Sequence, residues 1–176
     1  MRRAVAPLGD LGWMQMGTFV LTGLCGIAFA AGVRRLLRQS RGGAWGAALI
    51  GIWSLSLIAA GVFTPDPSLG FPPGAPQGIP DRISWHSMLH GVAFLASFAA
   101  LIAGCFVFAR RLAGVRRWAW MGYCIATGVV APVVVIVAQS STTSLGTAYA
   151  IAGALAFAWV SALAVRLLFE SVTGRA

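Results

Sequence analysis

The chain has 176 residues, of which 59% are hydrophobic and only 10% charged, against roughly 25% charged residues in soluble domains. That balance excludes an ordinary soluble protein and leaves room for at most about five membrane-crossing helices of roughly 20 residues, with nothing over for a separate soluble domain. The net charge of +9 comes from arginines set against Asp10, Asp66, Asp81 and Glu170; most of these arginines follow or separate apolar segments, where they fix topology and leave no soluble basic patch for nucleic acid.

The first apolar run covers residues 13–33 and opens on Trp13. Within it Gln15, Thr18, Thr22 and Cys25 form a polar face at helical spacing, and such a face in lipid is expected to pack against a neighbouring helix. Arg34, Arg35, Arg38 and Arg41 follow. The second run, 44–63, begins near Trp45 and leaves through Thr64-Pro65-Asp66-Pro67. The flanking prolines hold Asp66 in extended backbone and aim its carboxylate; an aspartate that accepts backbone N–H groups in a turn is the alternative. Residues 64–84 then form a loop rich in proline and glycine, which favours turns over helix or strand. An ordered cap and a lid are both compatible with that composition.

The third run, 85–109, carries His86 and His90 at i, i+4. That spacing puts both imidazoles on one helix face, about 6 Å apart along the axis. The face continues through the small residues Ala93, Ser97, Ala100 and Gly104, which suit close helix packing. Two histidines with Asp66 and Asp81 from the preceding loop could supply three ligands for a divalent metal such as zinc, Asp66, His86 and His90 foremost, with an open position for water. The same histidines also serve, in the simpler reading, as interfacial hydrogen-bond donors that tie loop to helix. The fourth run, 118–138, opens on Trp118 and Trp120 and contains Pro132, which deprives the Gly128 carbonyl of its helical partner. The fifth, 145–168, leads into Glu170 and Arg175. Cys25, Cys105 and Cys124 lie inside apolar segments without close spacing, a pattern of neither a disulfide framework nor a thiolate metal site.

All five runs are read as spans of one all-α, polytopic membrane bundle occupying residues 1–176. Tryptophans at the segment ends mark the headgroup level. Placing the arginine clusters between runs one and two, between runs three and four, and after run five in the cytoplasm leaves only Arg2, Arg3 and Arg82 outside. The N-terminus is therefore expected outside and the C-terminus inside, in a cell (inner or plasma) membrane. Under that topology Asp10, Asp66, Asp81, both histidines, Gln15 and Gln139 fall on the outer side, and no carboxylate or imidazole is left at mid-bilayer for a proton relay.

Absent are a phosphate-binding Gly-Lys-Thr/Ser loop, HExxH, Gly-x-Ser-x-Gly and Cys-x-x-Cys. Gly12-Trp13-Met14-Gln15, Arg34-Arg35, Phe63-Thr64-Pro65-Asp66-Pro67, the Gly/Pro-rich loop and His86-x-x-x-His90-Gly91 together resemble the bacterial and archaeal membrane family called domain of unknown function 998. The resemblance covers nearly the whole chain. It implies a helical membrane fold, usually of six spans, so that this chain is expected to lack the first; it implies no biochemical activity. The expectation is an outward-facing polar pocket formed by Gln15, Asp66, His86 and His90 that binds a small ligand, lipid headgroup or partner without catalysis. A metal-dependent membrane hydrolase using Asp66, His86 and His90 is the alternative. The bilayer is the expected environment, no cofactor is required by the first reading, and self-association into a homo-oligomer is left open.

Overall fold

The computed structural model describes residues 12–40, 42–68, 70, 72–78, 80–138 and 145–173. Asp10, Gln139, Arg2, Arg3, Arg41 and Arg175 lie outside the described residues. Five helices run in order: α1 Gly12–Leu36, α2 Gly43–Val62, α3 Trp85–Gly114, α4 Trp118–Ala138 and α5 Leu145–Val172. All five are long and apolar enough to cross a bilayer. Helix is the form these segments take because hydrocarbon offers no partner for backbone N–H and C=O groups, and a helix satisfies them within the segment. Trp13, Trp45, Trp85 and Trp118 are all more than half exposed at helix starts, as indole rings at the headgroup level would be.

The helices outrun their apolar stretches. α1 takes in Arg34 and Arg35, and α3 passes Ala109 to include Arg110 and Arg111. Charged side chains end a hydrophobic run but not a helix, because long arginine stems lie along the apolar surface while their heads reach polar surroundings. What ends α3 is a turn in which Arg117 N–H donates to Leu112 C=O at 2.8 Å and Arg116 N–H to Ala113 C=O at 3.0 Å. This is the Schellman pairing, and its left-handed position is held by Arg116 at φ 58°. Arg117 C=O then accepts from Met121 N–H and starts α4.

The chain folds as two compact units. In the first, which takes α1 up to Ile27 and Ile52–Phe98, α1 meets α2 through glycines. A Cβ on Gly23 would lie 2.6 Å from the Ser54 carbonyl oxygen, one on Gly26 would strike the Ser54 hydroxyl, and one on Gly61 would sit 3.0 Å from the Met16 carbonyl oxygen. Lipid tails are as apolar as leucine, so association rests on close packing, and glycine permits the closest backbone approach. The polar stripe expected to make this contact does not make it. Gln15, Thr18 and Cys25 are exposed and Thr22 is half-buried, with the Thr18 hydroxyl returned to the Met14 carbonyl within α1. Gly23 and Gly26 are the buried residues of this stretch instead.

The second unit, Ala28–Gly51 with Ala99 onward, is built around Trp159. Its indole is 1% exposed, meets Phe108 edge-on at 5.9 Å and donates its N–H to Cys124 Sγ at 3.3 Å, which gives a buried indole the partner it needs. Gly46 admits the Phe108 ring, and Gly128 lies against Cys105. At the ends of α3 and α5, Arg166 bonds Glu170 at 2.6 Å while Arg111 stands 3.8 Å from the other Glu170 oxygen; the Arg166 guanidinium lies 4.8 Å from the Trp120 ring centre.

Candidate functional site

The expected site residues of the loop and α3 lie within the first unit. α3 begins because Ser84 caps it: its hydroxyl accepts the Ser87 N–H at 3.2 Å and its carbonyl accepts the Met88 N–H at 3.0 Å. Asp66, four residues beyond the end of α2 and flanked by Pro65 and Pro67, holds this cap in place. Its Oδ2 accepts the Ser84 N–H at 2.7 Å, and its own N–H donates to Ser87 Oγ at 3.2 Å. The two ends of the long loop are thereby fastened together. The carboxylate also sits where the positive end of α3 favours an anion. The Ser84 N–H, then the Ser84 hydroxyl, hold the Asp66 pKa below the usual carboxylate value; partial desolvation opposes this, and the nearby His86 adds a smaller lowering.

Between these fastened ends the loop follows its own sequence. Pro72-Pro73-Gly74-Ala75 closes a turn in which Ala75 N–H donates to Pro72 C=O at 2.9 Å, with Gly74 at φ 92°. Proline at the second position and a left-handed glycine at the third are what a type II turn requires. Gly70 N–H donates to Pro76 C=O at 2.8 Å, closing a wider turn around the first.

His90 is half-buried, with Nδ1 2.8 Å from the Phe63 carbonyl oxygen and 3.1 Å from that of Ala60. Both neighbours are acceptors, so Nδ1 carries the proton and shares it between them. The last carbonyls of a helix have no partner within it, and His90 supplies one to α2 from α3. His86, one turn earlier, is exposed. Its ring lies 3.6 Å from that of Trp85 and 6.0 Å from that of Phe63, and Phe63 meets Trp85 edge-on at 6.0 Å. The small face continuing from His90 is buried at Ala93, Ala100 and Gly104 and half-buried at Ser97.

The structure thus links Asp66 to the start of α3 beside His86 and links His90 to the end of α2. Gln15 is exposed on α1 and shares no hydrogen bond with them. Asp81 is exposed on the loop. Among the described residues, no three His, Cys, Asp or Glu side chains are grouped so as to hold a metal. For His90, Nδ1–H donation to the carbonyls leaves Nε2 as the lone-pair nitrogen.

Residue patterns alone did not single out Ser84, Ser87 or the carbonyls of Phe63 and Ala60. Ser84 is a serine directly before an apolar helix and had a cap signature to find. The carbonyls had none, since backbone acceptors leave no mark in residue type. Arg111, Arg166, Glu170 and Trp120 were likewise not joined, although Arg166 and Glu170 stand at i, i+4.

No curated protein and no solved structure matches the chain. One family model does: residues 4–166 match that described as "Protein of unknown function (DUF998)". With five membrane-capable helices and a match over most of its length, the chain is a multi-pass membrane protein that belongs to the DUF998 family.

Proposed function

We propose that this protein is a non-catalytic receptor in the cell (plasma or inner) membrane, with its N-terminus and α2–α3 loop outside. In this reading an outward-facing polar pocket of Gln15, Asp66, His86 and His90 takes a small polar ligand or a lipid headgroup. The observation that carries it is a division of labour between the histidines. His90 is committed to the α2 carbonyls and the Asp66 carboxylate to the α3 cap, so both are positioning residues. His86 is exposed beside Trp85 and is the residue that meets the ligand. The Asp66 carboxylate is engaged by the Ser84 N–H, which favours binding over hydrolysis.

The chain has only two histidines, which makes ¹⁵N-histidine spectra of the full chain in maltoside detergent a direct assay. Titration with glycerophosphoethanolamine or sn-glycerol 3-phosphate should move the His86 resonances saturably and leave those of His90 in place. Zinc chloride that instead moves both histidines together would replace this reading with the metal-dependent hydrolase, whose specific support is the orientation of His90 with Nε2 free of the carbonyls. If none of the three probes moves His86, the receptor reading is rejected.

A further inference from the structure

The charged cluster in the second unit has an excess of cations and unmet donors. Two guanidiniums, Arg111 and Arg166, face one carboxylate, Glu170, and the three side chains are only 10%, 11% and 16% exposed. Arg166 takes the one short bond, to Glu170 Oε1. Arg111 stands 3.8 Å from Oε2, beyond hydrogen-bond range. The Nε atoms of both arginines, and Oε2 of Glu170, are buried without a hydrogen-bond partner, so two unmet donors on cations stand against one unmet acceptor. Arginine cannot shed its charge, and an unpaired buried donor on a charged group is costly. Such a cluster calls for an anion.

The surroundings indicate which one. Arg111 lies in the last turn of α3; Arg110 just before that turn, and Arg116 and Arg117 just beyond the helix, are exposed. Trp120 sits under Arg166, and Trp118 is 59% exposed, which marks this end as headgroup level. Arg116 also keeps a left-handed backbone at φ 58°, a position glycine fills with less strain. Planar guanidiniums with paired N–H edges match phosphate oxygens, and basic pockets at helix ends in membranes suit anionic headgroups.

We propose that Arg111 and Arg166, with Trp120 beneath and Arg110, Arg116 and Arg117 on the same helix end, bind the phosphate of an anionic phospholipid headgroup. Glu170 competes with that phosphate for the guanidiniums and sets the affinity. The site uses no residue of the α2–α3 loop and stands or falls independently of the receptor reading.

The test uses the full chain in maltoside detergent, with thermal unfolding as readout, since a ligand that binds only the folded state raises the midpoint. Dioctanoyl phosphatidylglycerol should raise it saturably and dioctanoyl phosphatidylcholine should not. Inorganic phosphate should match the lipid only at far higher concentration; equal potency would overturn the lipid as ligand. Arg111→Gln should weaken phosphatidylglycerol by about tenfold or more, as loss of a charge-assisted hydrogen bond implies. Arg111→Lys, which keeps the charge but lacks Nε–H, should also weaken it. Glu170→Gln should tighten binding, a change that a purely structural ion pair would not produce. Arg34→Gln on α1 should leave binding unaltered. Equal stabilisation by both lipids overturns the proposal, and so does phosphatidylglycerol binding that is indifferent to Glu170→Gln. Those two arms remain decisive if Arg111→Gln fails to fold.

Discussion

Replacing His90 by phenylalanine keeps a ring of similar bulk and removes the Nδ1–H that lies 2.8 Å and 3.1 Å from the Phe63 and Ala60 carbonyl oxygens. One proton is shared by two acceptors, so the bond itself is worth about 1 kcal/mol net. Leaving the part-buried carbonyls without their donor adds a desolvation term, for a total loss of about 1 to 3 kcal/mol. The exposed His86 has no comparable commitment, and His86→Ala should stay within about 0.5 kcal/mol of wild type. Thermal and denaturant unfolding in one detergent compare the two directly. His90→Gln restores an N–H donor and should recover part of the loss. If His90→Phe were as stable as wild type, or His90→Gln no better than His90→Phe, then the histidine would not be capping α2 and the positioning role assigned to it would be wrong.

Gly23→Ala should cost about 1 to 3 kcal/mol, because its Cβ meets the Ser54 backbone carbonyl at 2.6 Å and backbone cannot step aside; unfolding curves in detergent report it. Gly104→Ala should be nearly neutral, since a Cβ there finds ordinary contact with Trp159 at 3.6 Å, whereas Gly104→Leu should overpack by about 1 to 3 kcal/mol on the same assay. The folded pKa of Asp66 is depressed, so its contribution to stability is present above the unfolded pKa and is lost as pH falls through the lower folded value. Acid unfolding of wild type should therefore show a limb below the usual aspartate range that Asp66→Asn lacks. Single cysteines at Ser68 and Ser40, in a chain freed of Cys25, Cys105 and Cys124, should label from outside at Ser68 and only after permeabilisation at Ser40; the reverse pattern would invert the topology.

The five helices were legible because a bilayer span is a long apolar run with aromatic ends, and Trp45 and Trp118 stand within two residues of helix starts. The far ends were less so. Counting stops at Arg34 or Arg110, while the backbone of α1 and α3 continues past them. The turn at Pro72–Ala75 could be read from proline and glycine order. Packing of α1 could not, because a polar stripe draws the eye to Gln15, Thr18, Thr22 and Cys25 while the close approach belongs to Gly23 and Gly26, residues whose contribution is the absence of a side chain. For Asp66 and His90 the residue types pointed to one junction, but their partners are a backbone N–H and two backbone carbonyls. Side-chain spacing carries no information about such groups. The Arg111–Glu170 approach joins distant parts of the chain and needed the fold.

Two histidines one turn apart are assigned different work, one holding the fold and the other facing a ligand. Nitrogen NMR of ¹⁵N-histidine protein in detergent, at alkaline pH where imidazole rings are neutral and assigned with His86→Gln, tests that division most directly. The expected result is a His90 locked in the Nδ1–H tautomer, which is the minor form of a free imidazole, and insensitive to glycerophosphoethanolamine, while His86 shifts with that probe. A His90 ring protonated on Nε2, or two histidines that respond alike, would contradict it.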